Sequence, residues 1–257
     1  MQSEERQARI EDYLQKVEFA SLDELSTQLG VSQSTVRRDL TVLENSGNIR
    51  RTHGGARLLN PRSEEFVFNA RDTHQLDEKE AIGRACAELI GSGQTVIIDA
   101  GTTPYHVARY LESKKPQIIT NSLPTANLYA ASTLVEVVLS GGVLYPRLGV
   151  LVGPLAVESF SKMHADVAIM GAGGITMDGV TNSHALLIEI QLAMMRVAQR
   201  VIFCLDHTKF GRRSMGFVCP LDNVKTVVTD CLAPADLIQQ FRERQISVIV
   251  AESPTGR

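Results

Sequence analysis

Two groups of residues in this chain have types and spacing suited to chemistry. The first begins with Gln33, Ser34, Thr35, Arg37 and Arg38, within the run QSTVRR, and continues with Arg50, Arg51, His53 and Arg57. Gln pairs with adenine edges, Arg with guanine edges or phosphate oxygens, and Ser or Thr with either. From Arg37 to Arg62 there are six arginines against two acids, Asp39 and Glu44, a local +4 in a chain of net charge −3. A nucleic-acid backbone is the natural counterpart of that concentration. The second group is a series of small polar stretches, each following a short apolar run: Asp99-Ala100-Gly101-Thr102-Thr103-Pro104, Thr120-Asn121-Ser122, Ser140-Gly141-Gly142, Gly171-Ala172-Gly173-Gly174 and Asp206-His207-Thr208-Lys209. Glycine backbone, paired hydroxyls and a lysine point charge suit a small phosphorylated polyol or sugar. Asp99 does not favour phosphate; it suits sugar hydroxyls or the orientation of its own loop.

The elements that must position the first group are marked by local signals. Ser21 and Glu24 have capping-box spacing, so a helix is expected from Leu22, with Leu22, Leu25 and Leu29 on one face. Gly30 stops it, because glycine takes a positive φ at little steric cost. Ser32 is the expected N-cap of a second helix, in which Val36, Leu40 and Leu43 face inward at i, i+4 and i+7. Gln33, Ser34, Thr35, Arg37 and Arg38 are then left on the exposed N-terminal turns, the layout of a recognition helix. The same spacing also describes a helical hairpin with a solvated face. The next segment favours DNA: Asn48 to Leu58 reads as a two-stranded basic ribbon turning at Gly54-Gly55. Ala8, Ile10, Tyr13, Leu14 and Val17 give a supporting first helix from about Glu4 to Val17. Residues 1–60 are thus expected to form a winged helix-turn-helix domain, and residues 61–77 a linker with ordered contact at Phe66 and Phe68.

From residue 78 to 257 the pattern changes to an α/β alternation. Apolar runs at Thr95–Ile98, Gln117–Ile119, Val135–Leu139, Val167–Met170, Val201–Leu205, Thr226–Val228 and Val248–Val250 are expected as strands. Amphipathic stretches at Ala81–Ile90, Pro104–Leu111, Leu186–Ala198 and Pro234–Arg242 are expected as helices. This predicts a Rossmann-like, mostly parallel sheet covered on both faces, with the polar stretches gathered at the carboxyl ends of its strands, where open α/β sheets bind ligands. Thr103 is the expected N-cap of the helix after the first strand and Pro104 its first residue, with Gly101 letting backbone approach an anion closely.

Several other chemistries are disfavoured. Gly171-Ala172-Gly173-Gly174-Ile175-Thr176 is not GxGxxG, and no GxxxxGK[ST] occurs, so neither a dinucleotide nor an NTP-hydrolysing P-loop is expected. The four cysteines show no CxxC spacing and the six histidines no HxxxH or HExxH pattern, so no metal site or cofactor is expected. Cys86, Cys204 and Cys231, in or beside apolar runs, are expected as buried free thiols. No 18-residue apolar run and no secretory leader are present, which fits a cytoplasmic protein without a membrane partner.

The stretch VSQSTVRRDLTVLENSGNIRRTHGGA resembles, nearly residue for residue, the signature of DeoR-type bacterial transcriptional regulators, and the resemblance extends over essentially the whole chain. It implies a sensor domain like the sugar-phosphate isomerase and deaminase fold. Asp99, Gly101, Thr102, Thr103, Asn121, Gly141, Gly142, Gly173 and Lys209 fall at matching motif positions, as does Lys79 in DEKEAIG. It further implies a repressor of a carbohydrate-use operon, relieved by a phosphorylated sugar. One winged domain covers only a few base pairs, so a homodimer or homotetramer on paired half-sites is expected. The competing reading is a sugar-phosphate isomerase or deaminase carrying a DNA-binding domain. The related deaminases have a DGH element after their glycine turn; here Asp178-Gly179-Val180 stands nearest, with Val180 in place of the imidazole. Asp178 and Glu189 read as a turn residue and a solvated helix residue. No catalytic residue is therefore assigned, and binding without turnover is expected.

Overall fold

The computed structural model describes residues 3–17, 19–45, 49–52, 54–58 and 68–252. Its contacts divide the chain into two compact units, residues 1–71 and 72–257.

The first unit contains α1 (Ser3–Val17), β1 (Phe19–Ser21), α2 (Leu22–Leu29), α3 (Gln33–Asn45), β2 (Ile49–Thr52) and β3 (Gly55–Leu58). Both halves of the capping box form: the Ser21 hydroxyl accepts from the Glu24 N–H, and the Glu24 carboxylate accepts from the Ser21 N–H at 2.7 Å. The backbone bond from Ser21, more than the hydroxyl bond, holds the Glu24 carboxyl below its ordinary pKa. Gly30 ends α2 at φ 64°. Ile10, Leu14, Leu25, Val36, Leu40, Leu43 and Ile49 are buried in one core. The ribbon is completed by β1, a strand the sequence reading did not anticipate, giving the order β1-β3-β2. Gly55 permits it: a Cβ there would lie 2.1 Å from the Ala20 carbonyl oxygen.

Within the stretch read as linker, Phe68–Thr73 is helical (α4), with Phe68 buried, and α5 starts at Leu76. Phe66 lies outside the described residues.

The second unit is built on seven parallel strands in the order β15-β14-β12-β9-β4-β5-β6. These are β4 (Thr95–Ile98), β5 (Gln117–Thr120), β6 (Glu136–Leu139), β9 (Ala165–Met170), β12 (Ala198–Cys204), β14 (Thr226–Asp230) and β15 (Ser247–Ala251). Both faces are covered. Val96, Ile98, Val167, Ile169, Ile202 and Cys204 join a core with Ile82, Cys86 and Ala87 of α5 (Leu76–Glu88) and Val107 and Ala108 of α6 (Thr102–Ala108). The alternate residues Ile97, Ala168, Met170 and Phe203 are equally buried, as the two-residue period of a doubly covered sheet requires. Shorter elements intervene: α7 (Leu123–Leu128), the hairpin of β7 (Val143–Tyr145) and β8 (Val150–Val152), and α8 (Pro154–Ser161). An antiparallel sheet of β10 (Gly174–Thr176), β11 (Gly179–Asn182) and β13 (Gly216–Pro220) also forms, together with α9 (Ala185–Val197) and α10 (Ala235–Glu243). Among the described residues no helix is long and apolar enough to cross a membrane.

The cysteine expectation needs one correction. Cys86, Cys204 and Cys219 are the buried thiols, whereas Cys231 is exposed. Cys231 falls in the turn after β14, and Cys219 lies inside β13, a strand the sequence reading did not identify. Burial pushes the Cys86 thiol up to about 12 and that of Cys219 to about 11, so neither supplies a thiolate at neutral pH.

Candidate functional site

On the first unit, Gln33, Ser34, Arg37 and Arg38 are exposed on the N-terminal half of α3 and Thr35 is half-buried, while Val36, Leu40 and Leu43 pack inward. Ser32 caps the helix, its hydroxyl accepting from the Thr35 N–H at 3.3 Å. Gln33 donates to Asp23 at 2.5 Å, and the hydroxyls of Ser34 and Thr35 lie 2.8 and 3.0 Å from that of Ser32. Asp39, one of the two acids in the basic stretch, turns inward. It is 3% exposed and accepts from Arg6 Nε at 2.5 Å and Arg6 Nη2 at 2.9 Å. Burial raises the Asp39 pKa, but the bonds from Arg6, Gln7 and Ser3 outweigh it and hold the carboxyl below its usual range. That charge is therefore met by the first helix. Among the described residues no ion pair is recorded for Arg37 or Arg38.

The wing is fastened to the same helix. Glu44 accepts from the Arg51 N–H at 3.0 Å, and Arg51 Nη1 donates to Thr41 Oγ1 at 2.8 Å. Arg50 is exposed on β2. The backbone of Arg57 pairs with Phe19 and Arg50, but its side chain, like all of His53, lies outside the described residues.

On the second unit, strand order decides which loops meet. The chain runs from β4 outward through β5 to β6, then returns to the opposite side of β4 as β9. In open α/β sheets such a reversal marks the ligand crevice, which here falls between the carboxyl ends of β4 and β9. The stretches holding Asp99 and Gly173 flank it, with Asn121 one strand away on one side and Lys209 one strand away on the other. The five loops follow adjacent strands, so at about 4.8 Å per strand the outermost two are about 19 Å apart, too far for one small sugar phosphate to touch both.

Asp99 clasps the crevice. Its Oδ2 accepts from the Gly171 N–H at 3.0 Å and from Gln191 Nε2 at 2.7 Å, and its Oδ1 accepts from the Ala100 N–H at 2.7 Å. Of the two roles left open for Asp99, these bonds describe loop orientation. The helix after β4 starts two residues earlier than expected. Gly101 is the N-cap and Thr102 the first residue, because neither threonine side chain caps the helix. Gly101 has an ordinary φ of −77°, and its lack of a Cβ accommodates Pro104, whose Cδ would lie 2.8 Å away. The threonines Thr102 and Thr103 are both buried.

Asn121 is buried and donates to the Leu151 carbonyl at 3.0 Å. Gly141 N–H donates to Ser159 Oγ at 3.1 Å, and Gly142, at φ 129°, lets the turn pass the Val152 carbonyl, which would lie 2.7 Å from a Cβ. Gly173 faces Ser214, whose Oγ would be 2.5 Å from a Cβ there. Lys209 stands 4.0 Å from Asp206. Lys79 is buried on α5 with its ammonium donating to the His74 carbonyl. Near it, buried His106 of α6 pairs with Asp72 at 3.0 Å and with Arg109 at 3.3 Å. Burial lowers the His106 pKa, with Arg109 and Lys79 adding to the effect and Asp72 opposing it.

The sequence reading missed Gln191, Asn182 and His106. The first two carry amides that bond each other at 3.0 Å within the crevice walls; a polar residue at position 191, in line with Leu187 and Met194 at i, i+4 and i+7, was the available signal. It also missed His207, whose Nδ1 lies 3.1 Å from buried Asp230. The two carboxylates considered for acid–base work are both exposed, and Asp178 is ion-paired with Arg213.

A winged helix-turn-helix unit followed in sequence by a parallel α/β unit whose strand order reverses at β4 and β9 defines the class: a DNA-binding domain joined to a sensor-type α/β domain. Residues 6–62 match the DeoR-like helix-turn-helix domain and residues 74–231 the DeoR C-terminal sensor domain. The chain belongs to the DeoR family of transcriptional regulators. It is 33% identical to the HTH-type transcriptional regulator GolR of Listeria innocua, covering 96% of this chain and 98% of that protein. It is 32% identical to the transcriptional repressor GlcR of Bacillus subtilis over 100% of both chains. To the glycerol-3-phosphate regulon repressor of Escherichia coli it is 32% identical, covering 96% of this chain and 99% of that one.

Proposed function

We propose that this regulator represses a carbohydrate-use operon from the cytoplasm as a homodimer or homotetramer, and releases its operator when a phosphorylated sugar occupies the crevice between the loops after β4 and β9. The observation that carries the DNA half is the exposed N-terminal face of α3, where Arg37 and Arg38 stand clear while the neighbouring Asp39 is turned inward onto Arg6. Gln33, Ser34 and Thr35 read bases beside them, and Arg50, Arg51, His53 and Arg57 hold the phosphates. The effector half draws on the polar loops Asp99–Thr103, Asn121 and Gly173, with Lys209 as the nearest point charge. Lys79, Gly141 and Gly142 act by shaping loops and helix ends. A metabolite releases DNA only by binding the two arrangements of the protein with different affinity. Gel shifts on the DNA flanking the gene, repeated with a panel of triose, pentose and hexose phosphates, test this: one phosphate should release the complex at concentrations where the unphosphorylated sugar does not.

Turnover is the second reading. The imidazole of His207 held by Asp230 at the carboxyl end of β12 favours it, because a carboxylate fixes the Nδ1–H tautomer and leaves Nε2 as a base. Against it, Asp178 and Glu189 face solvent. Formation of an isomerised product from any member of the same panel, or of a deaminated product from an amino-sugar phosphate added to it, would establish turnover.

A further inference from the structure

The walls of the crevice converge on one side chain that approaches from α9. Gln191 is 2% exposed. Both of its amide hydrogens are engaged, one toward Asp99 Oδ2 at 2.7 Å and one toward the Gly171 carbonyl at 3.0 Å, while its Oε1 accepts from Asn182 Nδ2 at 3.0 Å. Asp99 in turn accepts from the Gly171 N–H. The loop after β4, the loop after β9, the end of β11 and the middle of α9 thus share one closed network. Glutamine suits this place for a chemical reason. It presents two donors to a carboxylate and a carbonyl, and an acceptor to an amide, without adding charge. A buried network satisfied in this way fixes geometry, and one replaced member leaves its partners unpaired.

We propose that Gln191 is a positioning residue of the effector site. It sets the spacing of the Asp99 and Gly171 loops that an anionic sugar ligand requires, and it ties that spacing to α9. This rests on the sugar-phosphate reading above. It assigns a role to a residue that touches the loops and not the ligand, and so it makes a demand on pH. In Gln191→Glu a carboxyl oxygen replaces the amide nitrogen beside Asp99 Oδ2. Two carboxylates that close do not both ionise, so the pair keeps a proton at low pH and the shared hydrogen restores the bond to Asp99, while the Gly171 carbonyl is left without its amide donor. The pKa of the introduced carboxyl is raised, and the native spacing is present below it and lost as pH rises through it.

The test is calorimetric titration of the full chain with the triose, pentose and hexose phosphate panel between pH 6 and 8.5. Affinities are expressed relative to the unsubstituted protein at each pH, because the phosphate itself titrates near about pH 6. Gln191→Glu should bind within a few-fold of the parent at the acid end and at least about tenfold more weakly at the alkaline end, a coupling of ordinary allosteric size. Gln191→Leu should be weakened by a similar factor at every pH. The low-pH recovery of Gln191→Glu separates lost positioning from lost folding. If both variants bind the parent's ligand with the parent's affinity throughout, the positioning role is wrong and the effector reading stands. If the parent binds no member of the panel, the effector reading falls and this proposal falls with it.

Discussion

The division between base-reading and phosphate-holding arginines can be tested by removing one of each and varying salt. Arg37 is exposed on the second turn of α3, and among the described residues no ion pair must break before it meets DNA. Arg37→Ala should therefore lose the full value of a base contact, about 1–3 kcal/mol, or about 5- to 150-fold in operator affinity per recognition helix. Its effect on random DNA should be much smaller. Arg51 stands differently: its side chain is 40% exposed, held by Thr41 and near Glu44. On the proposed division it holds phosphate and reads no base, so Arg51→Ala should weaken operator and random DNA alike. Each lost phosphate contact flattens the slope of log affinity against log salt by about 0.9, so two protomers give about 1.8. Between 50 and 200 mM salt that slope change corresponds to about one decade, so the Arg51 variant should lose about tenfold less affinity over that range than the parent. Fluorescence anisotropy with operator and scrambled duplexes at four salt concentrations measures both quantities. The assignment of the contact face is refuted if Arg37→Ala lowers affinity equally for the two duplexes while Arg51→Ala changes only the operator.

Three further outcomes follow from packing and charge. Leu40 is 1% exposed in the small core of the first unit; Leu40→Ala should cost about 2–5 kcal/mol, a large share of what so small a unit possesses, and should abolish DNA binding at 37 °C while the sensor unit still melts cooperatively in calorimetry. Gly142→Ala places a Cβ 2.7 Å from the Val152 carbonyl at a φ of 129°, so it should lower the melting temperature of the sensor unit, by about 1–3 kcal/mol of backbone strain alone. His106 is held below its ordinary pKa, chiefly by burial. The unfolded chain therefore takes up the proton first as pH falls, so the sensor unit should keep the His106 contribution to its stability above about pH 6.5 and lose it progressively as pH falls below that. A His106→Gln variant should show a flatter melting temperature across that range.

The winged unit was the more legible half because its signals are short-range. Ser21, Glu24, Gly30 and Ser32 each fix a helix end through neighbours two to five residues away, and such bonds can be read from spacing. The strand β1 could not be read this way, since its three residues form a strand only by pairing with β3 across the helical hairpin. In the sensor unit the seven apolar runs marked the seven parallel strands, because burial on both faces demands nearly continuous apolar sequence. The short elements α7, α8 and the β10-β11-β13 sheet carry too few residues to show a period. The crevice loops were recognisable by composition, but their partners were not: Asp99 meets Gly171 and Gln191 across 72 and 92 residues. No local pattern announces that Thr102, not Pro104, begins α6, because the geometry there is set by the fit of Gly101 against the proline ring.

The strand order bears on how the polypeptide is made. The first unit lies within the first 71 residues, and its longest strand pairing joins Phe19 to Arg57, so it can fold while most of the second unit is still untranslated. The second unit closes late, since β14 finds its outer neighbour only when Ser247–Ala251 arrives, and parallel pairings of such separation form slowly. A message cut short within the last third of the reading frame would therefore yield a chain with an intact winged unit and an unfinished α/β unit.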